Sequence, residues 1–259
     1  MIITLSPSKG QDFETPVVLD DAKVTVPAML DDSMMLIEEL RKYSTDQVRD
    51  LMEVSENIAR LNVDRYKAFS LPFTPQNARP ALFAFKGDVY RGIPVEEYGP
   101  QDLDFAQRHL RILSGLYGCL RPLDLIQPYR LEMKTRLTNP RGDNLYQFWG
   151  DRLTLCLNEA LKQQQEPTLV NLASNEYFKA VKPRLLEGRL LNIAFKEEKN
   201  GKARVIAVFA KRARGMMADY IIRNRIEAAE DIKGFDMEGY RYSEADSDDR
   251  QWVFRRPQP

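Results

Sequence analysis

From Met34 to about Phe69 the apolar positions recur at helical spacing. Val48, Leu51 and Met52, then Ile58, Leu61 and Tyr66, fall at intervals that mark a helix face turned toward a core. Ser44-Thr45-Asp46-Gln47 reads as a capping box, Ser44 accepting from the amide three residues on while Gln47 reaches back. A second amphipathic helix is predicted from Tyr146 to Gln163, carrying Trp149, Leu153, Leu157 and Leu161. Met1 to Leu5, Ala81 to Phe85 and Thr168 to Leu172 are short continuous apolar runs, read as buried strands. Leu190 to Phe195 and Ala203 to Phe209 flank Lys199-Asn200-Gly201-Lys202, and Asn-Gly between two such runs signals a hairpin. Tyr240 to Tyr242 and Trp252 to Phe254 read as terminal strands, with Arg255-Arg256-Pro257 a mobile tail.

Strands and helices alternate without a regular βαβ rhythm, and no linker-like run or internal repeat interrupts them. The expectation is the α+β class: one mixed domain over residues 1–259, with buried strands, a C-terminal basic hairpin and surrounding helices. At 259 residues and 43% hydrophobic, the chain can bury a large core.

Charge changes the picture locally. The 38 Lys and Arg balance 38 Asp and Glu, so any polyanion must be held by a local patch. Lys199 to Arg225 holds eight Lys and Arg against Asp219 alone, while Glu227 to Asp249 holds nine acids against Lys233 and Arg241.

Composition also removes chemistries. Cys119 and Cys156 are too few for a disulfide framework. The first residues lack a signal-peptide pattern, and no run of about 18 apolar residues exists. A cytoplasmic protein without a membrane partner is therefore expected. His109 is the only histidine and reads as a packed or solvated helix residue. One His and two separated Cys cannot compose a zinc site or a facial triad, so no metal and no cofactor is assigned, although a carboxylate-only site stays open. A Ser-His-Asp triad would have to use His109, without a Gly-x-Ser-x-Gly elbow.

The candidate chemistry lies just beyond apolar elements. Ser6-Pro7-Ser8-Lys9 follows the first strand as a small-residue turn ending in a cation, the layout of an anion site but not of a P-loop. Leu113-Ser114-Gly115-Leu116-Tyr117-Gly118, with Arg121-Pro122-Leu123-Asp124, reads as a tight turn closing a helical run. Tyr129-Arg130-Leu131-Glu132-Met133-Lys134-Thr135-Arg136 follows it. Ala173-Ser174-Asn175-Glu176-Tyr177 leaves the Thr168–Leu172 strand, where open α/β sheets put ligands. Lys211-Arg212-Ala213-Arg214-Gly215 leaves the hairpin and precedes a helix predicted from Met216 to about Arg225. Asp88 and Tyr90, after Ala81–Phe85, read first as turn residues.

Taken together with Phe85-Lys86-Gly87-Asp88-Val89-Tyr90, these motifs resemble the YaaA family of bacterial peroxide-stress proteins, over nearly the whole chain. The resemblance implies a role in peroxide stress, lowered unincorporated iron and protection of DNA, and a structural likeness to DNA-binding proteins. The glycine turn is also similar to the hairpin of helix-hairpin-helix motifs, although its glycines stand three apart instead of two.

Two readings follow. The first is a DNA-binding protein gripping the backbone without sequence preference through Lys9, Gly115, Gly118, Arg121, Arg130, Lys134, Arg136, Lys211, Arg212 and Arg214. Its distant basic segments are expected to share one groove. The alternative is an enzyme acting on a phosphorylated or nucleotide-like small molecule at Ser6, Ser8, Lys9, Ser174, Asn175, Glu176 and Tyr177. Oligomeric state is not read from sequence.

Overall fold

The computed structural model describes residues 1–17, 19–20 and 23–259. Its centre is an eight-stranded mixed sheet. The strands are β1 (Ile2–Leu5), β2 (Leu110–Ser114), β3 (Gly118–Leu120), β4 (Thr168–Asn171), β5 (Arg189–Lys199), β6 (Lys202–Arg204), β7 (Arg241–Tyr242) and β8 (Gln251–Pro257). They lie in the order β7-β8-β5-β4-β1-β2-β3. The five from β8 to β2 run parallel, while β3, β6 and β7 are added antiparallel. β5 outruns β4, and β6 pairs with the Glu197–Lys199 end that β4 leaves open. Ile2, Ile3, Leu5, Leu110, Ile112, Leu169 and Val170 have no exposed surface, which is why the parallel strands read as unbroken apolar runs. The domain is a single α+β unit.

The helices are α1 (Leu30–Leu40), α2 (Thr45–Met52), α3 (Glu56–Ala68), α4 (Ala81–Ala84), α5 (Pro100–His109), α6 (Leu145–Trp149), α7 (Arg152–Leu161), α8 (Asn175–Phe178) and α9 (Ala207–Arg223). The Met34–Phe69 pattern thus divides into α1, α2 and α3. Ser44 caps α2 as expected: Gln47 N–H donates to its Oγ (3.3 Å) and Ser44 N–H donates to Gln47 Oε1 (2.8 Å).

Several expectations are corrected. Ala81–Ala84 is a buried helical turn, with Ala81 and Leu82 donating their N–H groups to the Asp124 and Pro122 carbonyls. A short apolar run does not distinguish the two conformations. The Tyr146–Gln163 helix breaks at Gly150, whose φ of 50° is closed to an α-helix. The Asn200-Gly201 turn forms with φ of 52° and 71°, but its second strand ends at Arg204. Glu197 Oε2 accepts from Ile206 N–H (3.2 Å) and so begins α9 at Ala207. Lys211, Arg212 and Arg214 therefore sit inside a helix and do not precede one. Arg255 and Arg256 belong to β8, with Arg256 buried against Glu197 (3.6 Å) and Glu238 (2.8 Å), so they form no mobile tail.

The central glycine stretch is a β-hairpin. α5 ends at His109, Leu110–Ser114 is β2, and Gly118 opens β3. Both glycines are buried. A Cβ on Gly115 would overlap the Leu131 carbonyl, and one on Gly118 would lie 2.6 Å from Met29 Sδ and 2.8 Å from the Trp149 ring. Trp149 Nε1–H donates to the Gly115 carbonyl (3.0 Å). The turn packs into the core, so it presents no backbone amides to a phosphate and is no helix-hairpin-helix hairpin.

Candidate functional site

Parallel strands deliver their C-terminal turns to one end of a sheet, and β1 and β4 are neighbours. Beyond them lies a cleft of about 700 Å³, lined by the Ser6–Lys9 turn, Gly87–Val89, Glu132 and Lys134, the Ser174–Tyr177 segment, and Lys211 and Arg214 of α9.

The turns are joined side chain to side chain. Ser174 N–H donates to Ser6 Oγ (2.8 Å), and Ser6 Oγ–H donates to Ser174 Oγ (3.2 Å). Ser174 stands at the N-cap position of α8 but makes no side-chain cap, because its hydroxyl serves Ser6 instead. Tyr90 O–H donates to the Ser6 carbonyl (3.0 Å), fixing the turn from below. Glu176 Oε1 accepts from Lys134 N–H (3.3 Å), and its carbonyl accepts from Tyr146 O–H (2.9 Å).

Close backbone packing sets the opposite wall. A Cβ on Gly92 would come within 2.6 Å of the Arg212 carbonyl, and one on Gly215 would overlap the Val89 carbonyl. The Gly87–Gly92 segment thus lies directly on α9, one residue from Arg214. These glycines are required by contact, not by turn geometry.

Electrostatically the cleft holds four cations among three carboxylates, Asp88, Glu132 and Glu176. Glu132 is committed: it binds Lys9 (3.1 Å) and Arg130 (2.9 Å) with 12% of its side chain exposed. Among the described residues Lys134, Lys211 and Arg214 have no ion-pair partner. Burial pulls the Arg214 pKa below its ordinary value, yet a guanidinium stays charged at any physiological pH. Its charge is therefore partly desolvated and uncompensated, a condition that an incoming anion relieves. Burial, aided by Tyr129 and Glu176, holds the Tyr177 hydroxyl well above the phenol range, so it is neutral.

The cleft unites all seven small-molecule candidates, Ser6, Ser8, Lys9, Ser174, Asn175, Glu176 and Tyr177, with Lys134, Lys211 and Arg214 from the DNA-binding set. The remaining members of that set lie elsewhere. Arg212 pairs with Glu238 (2.7 Å) on another face of α9. Arg130 is tied to Glu132, and Arg136 lies in an adjoining depression with Asp50 and Glu53. Arg121 pairs with buried Asp124 (2.9 Å) after β3, at the opposite end of the sheet. Gly115 and Gly118 are interior. Glu132 was missed as a site residue; its placement inside Tyr129–Arg136, among three cations, was the available signal. His109 stacks on Phe105 at 4.0 Å between ring centroids and is remote from the cleft.

Among the described residues, no group of three or more His, Cys, Asp or Glu side chains is placed to hold a metal ion. No described helix is long and apolar enough to cross a membrane.

The chain is thus an α+β protein whose mixed sheet carries a polar, cation-lined cleft at the carboxyl ends of its parallel strands, the place where sheets of this kind put ligands. The family profile described as "Peroxide stress protein YaaA" matches residues 1–246, and the chain belongs to that family. It is 52% identical over 259 residues to a UPF0246 protein of Cellvibrio japonicus and 51% over 258 residues to one of Saccharophagus degradans, each covering 100% of both chains. A UPF0246 protein of Ralstonia pickettii is 52% identical over 256 residues, 99% of each chain. Membership ties the protein to peroxide stress.

Proposed function

We propose that the protein serves the peroxide-stress response by binding a phosphorylated, nucleotide-like small molecule in this cleft and acting on it. The observation that carries this reading is the pairing of uncompensated Arg214 and Lys211 with the Ser6, Ser8 and Ser174 hydroxyls around a cavity of about 700 Å³. A cleft of that order suits a ligand of nucleotide size, within the roughly 300–1,000 Å³ of small-molecule sites. Arg214 and Lys211 hold the phosphate, and the Ser8 and Ser174 hydroxyls donate to its oxygens while Ser6 holds Ser174 in place. Glu176 and Asp88 face the same space and are the groups able to accept a proton from the substrate. Glu132, already bound by two cations, orients Lys9. Tyr177 remains a hydrogen-bond donor.

A second reading keeps DNA, held through its backbone. It is favoured by the rim, where Lys202, Arg204 and Lys211 are exposed and, among the described residues, unpaired. On either reading, limiting iron-linked damage follows from what the cleft binds.

Calorimetric titration with inorganic phosphate, nucleoside phosphates and duplex DNA tests the choice. At a hundredfold excess over Kd a ligand of the folded state adds about 2.7 kcal/mol, several degrees of Tm. Saturable binding of a nucleoside phosphate, lost in Arg214→Gln, supports the first reading. Binding of DNA alone, with log affinity falling by about 0.9 per phosphate in log salt, replaces it with the second.

A further inference from the structure

At the end of the sheet opposite the cleft, where β1 and β2 begin, lies an open cavity of about 560 Å³. Its wall carries three guanidiniums from three places in the fold: Arg108 in α5, Arg111 in β2 and Arg121 just after β3. Among the described residues Glu227 is the only carboxylate in the lining, and Ala160 the only aliphatic side chain. Gln163 and Gln165, just beyond α7, add exposed amides. His109 belongs to the same wall although it is only 4% exposed.

The arginines are oriented by protein acceptors that use only part of each fork. Arg111 Nη1 donates to the Gln107 and Leu110 carbonyls (3.1 and 2.8 Å), closing the carboxyl end of α5. Its Nε and Nη2 have no partner among the described residues. Arg121 is fixed by buried Asp124 (2.9 Å) and by the Val26 carbonyl (3.3 Å), which leaves its Nη1 free of any described partner. Arg108 Nε donates weakly to the Asp104 carbonyl (3.4 Å), and its guanidinium stands 5.9 Å from the centre of the Phe105 ring. Of the three, only Arg121 has an ion-pair partner among the described residues. A guanidinium has five N–H donors, so capping a helix accounts for the position of Arg111 and not for its remaining donors or its charge.

We propose that this cavity is an anion site of its own, taking a compact polyanion of the di- or polyphosphate type between Arg108, Arg111 and Arg121. Phosphate groups offer oxygens in several directions, which suits forks arriving from three separate elements; a planar carboxylate faces one fork at a time.

The lining also limits what the ligand carries besides charge. A nucleoside base needs an apolar or aromatic surface, and here Ala160 is small and the His109 ring is already stacked on Phe105. The ligand is therefore polar throughout, held by guanidiniums with the Gln163 and Gln165 amides at its edge. Glu227 opposes any anion and sets a requirement for more than one negative charge. The site shares no residue with the cleft and is independent of the reading given to it.

His109 is the only histidine in the chain, so its imidazole NMR signals report on this cavity directly. Pyrophosphate and tripolyphosphate, titrated into the full chain at constant ionic strength, are expected to shift those signals saturably. Arg108→Gln and Arg111→Gln should each raise the Kd about tenfold, the loss of one charge-assisted hydrogen bond. Arg111→Lys should recover only part of the affinity, since it restores the charge without the fork. Arg214→Gln, in the cleft, should leave this Kd as in the wild type. Exposed Arg108 keeps the test decisive should Arg111→Gln disturb the end of α5. The proposal is overturned if the His109 signals do not move, or if they move alike in the wild type and in Arg108→Gln. Loss of the shift in Arg214→Gln overturns it too, by tracing the signal to the cleft. Saturation by citrate but not by pyrophosphate overturns the ligand class, and a response to duplex DNA at lower concentration than to pyrophosphate replaces the site with a nucleic-acid surface.

Discussion

Ser6 and Ser174, 168 residues apart, share one hydrogen-bonded corner: Ser174 N–H donates to Ser6 Oγ at 2.8 Å, and the two hydroxyls lie 3.2 Å apart. The corner exists because β1 and β4 are adjacent and parallel, so their exits meet. Ser6→Ala leaves the Ser174 amide without a partner at a part-buried site, a cost of about 1–3 kcal/mol. Thermal denaturation should show a lower Tm for Ser6→Ala, while Ser8→Ala, whose hydroxyl serves only the exposed Gly10 amide at 3.3 Å, should stay near wild type. Equal Tm values for the two variants would show that the corner is not stitched as described.

Gly215 tests the wall of the cleft. Replacing glycine by alanine inside an exposed helix ordinarily stabilises by about 1 kcal/mol. Here the new methyl meets the Val89 carbonyl and the Gly92 backbone, which cannot swing aside as a side chain would. Overpacking of this kind costs about 1–3 kcal/mol and should win. Gly215→Ala is therefore expected to lower Tm and also to weaken ligand binding, since it displaces the segment carrying Asp88. A raised Tm would mean that α9 and the Gly87–Gly92 segment are not in contact.

The Ser6–Lys9 and Ser174–Tyr177 turns of the cleft announced themselves in the sequence, as polar turns following apolar strands. Their convergence did not, because it depends on strand order: nothing local says that the Ser6 turn will lie beside the Ser174 turn. The charge runs misled for a related reason. Lys211, Arg212 and Arg214 are contiguous, but a helix turns about 100° per residue, so Arg212 points to Glu238 and Arg214 into the cleft. Reading Ala207–Phe209 as strand hid that rotation. The Gly115–Gly118 hairpin was legible as a turn, yet its glycines answer to Leu131 and Trp149 in the core and to no ligand.

His109 predicts a pH response. Its Nδ1–H donates to the Met1 carbonyl (2.8 Å), and burial draws its pKa below 6.5. The folded state then holds the neutral ring and binds fewer protons than the unfolded chain as pH falls below 6.5. The stability associated with neutral His109 is complete above that value and is lost as pH falls through the folded pKa. Chemical denaturation across this window should show a slope that His109→Asn flattens. A wild-type slope identical to that of the variant would assign the dependence to the carboxylates.

The last prediction separates the two arginines that the sequence presents as equivalent. Arg214 is desolvated, unpaired and inside the cleft; Arg212, with 53% of its side chain exposed, is bound to Glu238 outside it. An exposed pair of this kind contributes about 0–1 kcal/mol, so Arg212→Gln should leave both fold and phosphate binding nearly unchanged. Arg214→Gln removes a charge-assisted hydrogen bond, worth about 1.5–3 kcal/mol to a charged partner, and should weaken binding of a nucleoside phosphate at least tenfold. It should also raise Tm slightly, because a partly desolvated, uncompensated charge is gone. DNA lying along the outer surface gives a different pattern: both substitutions weaken it alike and each reduces the salt slope by about one. Parallel titrations of the two variants, with phosphate and with duplex DNA at several salt concentrations, therefore decide whether the cations of α9 act one by one in a cleft or together along a groove.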